Sequence, residues 1–245
     1  MKLLSYNIRY GGEKRAHLIG SVIRECAPDL VVLQEATNPD IVKLIAAEAG
    51  MPHWASRHGH SVGFVSQIDI ARHDWRQPPG LRHAFLEIHP VGTESIVIGV
   101  HLSAIHSNLT ERRRLRELNS LLNAIRDHKD RFHLLTGDFN TLAPGERLDT
   151  RRLPRRLRLL ALLLGGRIRF RTIQAMLDNG YIDAYRQFHS DEGYTFPTWD
   201  PHVRLDYYFV PTAASARINA CEVVRDLTGV EKASDHFPLM AAIDL

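Results

Sequence analysis

An α/β fold with two sheets is what this sequence predicts, and three observations carry the prediction. Short β-like runs at 2–7 and 30–34 enclose Leu18, Ile19, Val22, Ile23 and Cys26 at helical spacing, which gives strand, helix, strand. A continuous buried-strand run from Ser95 to Leu102 is followed by a helical stripe and then by a further strand at 131–136. Elsewhere strand patterns dominate, near 194–196, 205–210, 218–224 and 238–244.

Taken in order, Pro28 closes the first helix, and a second covers Asp40 to Ala49, with Ile41, Leu44 and Ile45 on one face and Gly50 as its end. Residues 51–90 read as strands and loops punctuated at Gly59, Gly63 and Pro78-Pro79-Gly80. Thr110 is placed to cap a third helix, whose Leu115, Leu118, Leu121, Leu122 and Ile125 make an apolar stripe. No internal repeat or linker interrupts the 245 residues, so one domain spanning 1–245 is expected.

The exception is a basic-apolar insertion at about 146–176. Nine arginines against Glu146 and Asp149 make 146–171 +7, leaving −4 for the rest of a chain whose total is +3. Attraction to a polyanion is therefore local. The apolar run Leu159–Leu164 is too short to span a membrane, and no other stretch reaches about 18 apolar residues. The bland reading of this insertion is a buried helix with its arginines in solvent; the other readings are contact with phosphates or with a membrane surface. The N-terminus lacks the apolar block of a signal peptide, and Cys26 and Cys221 sit in apolar surroundings. A cytoplasmic monomer is expected.

The chemistry gathers around His133-Leu134-Leu135-Thr136-Gly137-Asp138-Phe139-Asn140. In a buried strand ending at this glycine, Asp138 and Asn140, two apart, would leave on the same side. Other apolar runs also end in polar groups: Asn7, Gln34-Glu35, His101 and Ser234-Asp235-His236, with Arg204-Leu205-Asp206-Tyr207 opening a strand. One such residue is ordinarily a turn or a cap; six on strand ends of one domain point to a site. Carboxylates and amides suit a hard ion, Mg²⁺ or Mn²⁺. Zinc HExxH or CxxC pairs and a phosphate-binding GxxxxGK[ST] loop are absent from the sequence. Most of the scattered histidines from 53 to 89 read as surface residues, although His58 and His60 are placed to reach a substrate.

In this order, the set from Asn7 through Gly137-Asp138-Phe139-Asn140 to Ser234-Asp235-His236 resembles the endonuclease/exonuclease/phosphatase superfamily, over residues 4 to 238. The resemblance implies a four-layered α/β sandwich, two facing mixed β-sheets flanked by helices, and divalent-metal hydrolysis of phosphate esters. It implies Glu35 as the principal metal carboxylate, with Asn7 and Asp235 near the ion. Asp138 takes the place of the residue that activates water, and Asn140 that of the amide holding water and phosphate oxygen. His236 corresponds to the histidine at the scissile phosphate, and Asp206 to its carboxylate partner. His101-Leu102-Ser103-Ala104 is most like the histidine segment of the pancreatic deoxyribonuclease and neutral sphingomyelinase branches; the apurinic endonuclease branch has a tyrosine there. Thr195, Trp199 and Arg204 are read as substrate-binding, with the Thr-Trp-Asp at 198–200 similar to that of 5′-tyrosyl-DNA phosphodiesterase.

The leading expectation is thus a metal-dependent nuclease cutting DNA, with phosphate contacts from Arg147–Arg171 and Arg112 to Arg116 and bases stacked on Trp199 or Trp54. A phospholipid or inositol-phosphate phosphodiesterase of the same fold, and a catalytically silent binding module, are the alternatives.

Overall fold

The computed structural model describes residues 1–104, 108–146, 149 and 170–245. From the N-terminus, β1 (Lys2–Asn7), β2 (Leu30–Gln34), β3 (His53–Ala55) and β4 (Val62–Ser66) belong to a first sheet. A second sheet takes β5 (Ile70–Arg76), β6 (Phe85–Pro90), β7 (Ile96–His101), β8 (His133–Asp138), β9 (Tyr181–Asp183) and β10 (Asp206–Pro211). The chain then returns to the first sheet as β11 (Ile218–Val223) and β12 (Leu239–Ile243). The strand orders are β11-β12-β1-β2-β4-β3 and β5-β6-β7-β8-β10-β9. Each sheet carries one parallel pair near its middle, β1 with β2 and β7 with β8.

Strand alternation builds the layers, because successive side chains leave on opposite faces. Leu3, Val32, Val97 and Leu134 fill a core between the two sheets. Their neighbours Leu4, Val31 and Leu33 turn to α1 (Ala16–Cys26) and α2 (Pro39–Ala49). On the other side Ile96, Ile98 and Leu135 turn to α3 (Asn108–Ala124) and α4 (Thr172–Asp178). The result is helix, sheet, sheet, helix: the four layers expected. Gly99 sets how closely the sheets approach, since a Cβ there would lie 2.7 Å from the methyls of Val32 and Val62.

Local chemistry fixes the helix ends. Asn38 caps α2 by accepting a hydrogen bond from the Asp40 amide at 3.0 Å, and Gly50 closes it at φ +71°. Helix α3 begins at Asn108, so Thr110 lies within it and is not its cap. The strand expected near 194–196 is reduced to a single bridge between Phe196 and Val203. Two short helices, α5 (Ala184–Phe188) and α6 (Val230–Ala233), complete the described elements used below. Most of the 146–176 insertion, with its leucine run and all its arginines but Arg171, lies outside the described residues. Among the described residues no helix is long and apolar enough to cross a membrane. Cys26 and Cys221 are buried free thiols.

Candidate active site

The two parallel pairs end at the same place. Asn7 closes β1, Glu35 follows β2, and His101 and Asp138 close β7 and β8 in direct register. The Asn7 side-chain amide crosses between the sheets and donates to Asp138 Oδ2 at 3.0 Å. Strand β8 does not stop at Gly137. It holds φ +143° there, where a Cβ would sit 1.9 Å from the Val100 carbonyl oxygen, and it continues to Asp138. Asn140 therefore reaches the site by a turn, not by strand alternation. At φ +53° its backbone amide donates to Asp138 Oδ1 at 2.8 Å, and its side-chain amide donates to the Leu102 carbonyl at 3.0 Å.

Asp206 opens β10 directly opposite Asp138 in antiparallel register. Its Oδ2 lies 2.9 Å from His236 Nδ1, and its Oδ1 is buried without a hydrogen-bond partner among the described residues. The His236 Nε2 faces Asp138 Oδ2 at 3.9 Å. Burial opposes a charged ring, but the Asp206 carboxylate, aided by Asp138, carries the His236 pKa up to about 10. The ring is therefore an imidazolium at neutral pH. Burial pushes the Asp138 carboxyl up, and the charge of Asp206 adds to this. His236 and the amides of Asn140 and Asn7 oppose the rise. A carboxylate with raised proton affinity, fixed by two amides, is suited to take a proton from water.

His101 forms the other flank, with Nε2 also 3.9 Å from Asp138 Oδ2. Its Nδ1 meets the Ser61 hydroxyl at 2.5 Å, and its ring stacks on His83 with centroids 5.1 Å apart and planes 7° from parallel. Burial, reinforced by His83, His236 and Arg82, pulls its pKa down to about 3, so this imidazole is neutral.

A model of the Endonuclease/Exonuclease/phosphatase family matches residues 4–236. The chain belongs to that family. Its members are phosphoric ester hydrolases, and that is the reaction class of this chain. Solved structures agree on the fold. A 3′ phosphatase from Neisseria bound to a product DNA hairpin superposes with TM-score 0.73 at 19% identity, covering 100% of both chains. An AP endonuclease from Archaeoglobus fulgidus gives 0.74 at 19%, again over 100% of both. D. rerio TDP2 with a single-strand DNA product gives 0.70 at 18%, over 100% of this chain and 99% of that one. No curated protein matches by sequence.

Enzymes of the endonuclease/exonuclease/phosphatase family are generally divalent-metal dependent, and this chain carries donors for such an ion. Asp138, Asp206 and His236 offer three buried atoms within 4.8 Å of one another. Within that trio His236 Nδ1 is already taken up by Asp206 at 2.9 Å, and an imidazole is a softer donor than a hard cation prefers. Glu35, Asn7 and Asp235 carry oxygen donors of the kind that a hard cation takes. Glu35 stands at φ +60°, held by the Tyr10 amide on Oε2 at 2.5 Å. Arg9 Nε lies 3.2 Å from Asp235 Oδ2, so positive charge is already drawn to this end of the site.

The three expected substrate contacts separate. Trp199 is 63% exposed and accessible to a substrate. Thr195 is fully buried and accepts from the Leu205 amide at 3.0 Å, which sets the entry of β10 and so places Asp206. Arg204 is also buried, its guanidinium 2.8 Å from Glu146 and 2.6 Å from Asp183, so it braces the fold behind the site. Arg114, inside the basic run of α3, is likewise buried against Glu111. Trp54 packs on the helix side of the first sheet. His60 lies beside Trp75, with ring centroids 5.9 Å apart. Ser234, part of the Ser-Asp-His segment, donates its hydroxyl to the Asn7 carbonyl at 2.6 Å, whereas sequence reasoning missed Ser61 and His83. No local pattern announces them, since each acts across 18 or more residues of chain.

Proposed function

We propose that this chain is a Mg²⁺- or Mn²⁺-dependent phosphodiesterase that hydrolyses DNA, working as a single cytoplasmic domain. The observation that carries the reading is Asp138, fixed by two amides between a charged and a neutral imidazole. The DNA in the structures of the Neisseria phosphatase and of D. rerio TDP2 supports the choice of substrate.

Asp138 takes the proton of the attacking water while Asn140 holds that water in line with the phosphorus. The His236 imidazolium, kept charged by Asp206, donates to a phosphoryl oxygen as negative charge grows there. Neutral His101 supplies a second donor when the Ser61 hydroxyl donates a hydrogen bond to Nδ1, which leaves the ring hydrogen on Nε2 facing the site. Glu35, Asn7 and Asp235 would hold the ion, which when bound supplies positive charge to the phosphate and to the leaving oxygen.

The test is a hydrolysis panel of single- and double-stranded DNA, RNA, phospholipid vesicles and inositol phosphates, with Mg²⁺, with Mn²⁺ and with chelator. Cleavage of DNA that chelator abolishes and that salt weakens steeply is expected. Turnover of lipid or inositol phosphate without any of DNA would overturn the reading.

A further inference from the structure

Beside the phosphate chemistry, the mouth of the site carries a feature that hydrolysis itself does not use. Tyr10 and Trp199 are 76% and 63% exposed, two of the six large hydrophobic side chains left in solvent among the described residues. They are 189 positions apart in sequence, yet one guanidinium joins them: the Arg9 Cζ lies 5.4 Å from the Tyr10 ring centroid and 5.8 Å from that of Trp199. That guanidinium is itself set by Asp235.

The loop is fixed by the site's own residues. The Arg9 amide donates to Asn7 Oδ1 at 2.9 Å, the Tyr10 amide donates to Glu35, and Arg15 donates to the Arg9 carbonyl. Arg9 and Tyr10 hold φ of +51° and +47°, uncommon for residues with side chains and costly unless the surroundings impose them. Two exposed rings on a guanidinium, pinned by the carboxylates and amide of the reaction centre, form a built surface and not a stray apolar patch.

We propose that Arg9, with the Tyr10 and Trp199 rings that it lies over, forms a clamp for an unpaired nucleobase next to the scissile phosphate. The inference rests on the nuclease reading above and narrows its substrate to single strands or frayed ends. A base offers a flat π face to an exposed ring, and its phosphate answers the guanidinium. An inositol ring has no π face, and an acyl chain gains nothing from the cation. A base still paired within a duplex is covered by its neighbours and has no free face to give.

Two single strands of equal length and charge provide the test: oligothymidylate, and a strand of base-less tetrahydrofuran nucleotides. The wild-type protein should cleave the base-bearing strand with a kcat/KM about tenfold or more above that of the base-less one. Fluorescence anisotropy without metal should show the same preference in binding. Tyr10→Asn removes the ring while tolerating positive φ, and should bring the ratio close to one; Tyr10→Phe should restore it. If both strands are cut and the wild-type ratio is near one, or if Tyr10→Asn leaves it unchanged, the clamp is rejected and the nuclease reading stands. If neither strand is cut while phosphatidylinositol vesicles are, both fall together.

Discussion

Two imidazoles stand 3.9 Å from the same oxygen, Asp138 Oδ2, yet one holds a proton and its charge where the other is neutral. His236 rests its Nδ1 on a carboxylate, whereas His101 rests its Nδ1 on a hydroxyl and stacks on a second histidine. Both rings are buried in the reaction centre, so burial alone would leave both neutral. The difference lies behind each ring. A fixed anion overcomes desolvation on one flank, and on the other nothing does.

The strongest way to break the comparison is to remove what the flanks share. Asp138→Asn should lower kcat by about 10³-fold with the fold intact, since general-base contributions run to that order. Wild-type-like turnover by folded protein would reject Asp138 as the base. Asp206→Asn attacks one flank alone. It should cost about 10²-fold in kcat and bring the His236 titration, followed by NMR, down from about 10 toward the ordinary histidine range.

Stability against pH should separate the two rings without any substrate. A histidine with a raised folded pKa stabilises fully below the unfolded value of about 6.5, and that stabilisation fades up to about 10. His236→Gln should therefore flatten the loss of Tm between pH 6.5 and 10. His101 has the opposite sign: the unfolded chain binds its proton first, so stability falls as pH drops from about 6.5 toward about 3. His101→Gln should flatten that acid arm and leave the alkaline one. The smallest effect is expected from Ser61→Ala, a loss of about 3- to 10-fold in kcat, the worth of one neutral hydrogen bond. A larger loss would mean that the hydroxyl does more than orient the ring.

The sequence shows the two flanks unequally. Asp206 and His236 were legible because each begins or follows an apolar run and the pair matches a family pattern. On the other flank only His101 was. Ser61 and His83 lie in a stretch where histidines, serines and glycines are common, and they gain meaning only once β4 and the loop before β6 fold against β7. Arg204 misled for a related reason. A charged residue at a strand entrance ordinarily faces solvent, and only Glu146 and Asp183, 58 and 21 residues away, turn it inward. The layers were easier to read. Alternating apolar residues report burial on both faces of a strand, although they do not say which turn brings Asn140 back to Asp138.

The hydrogen bond from Asn7 to Asp138 spans 131 residues and joins the two sheets. Neither sheet holds the oxygen donors, the base and the imidazolium together, so a chain with one sheet formed and the other not would have no working centre. Hydrolysis thus reports that the two halves have docked, and a half-folded chain would leave phosphate esters uncut.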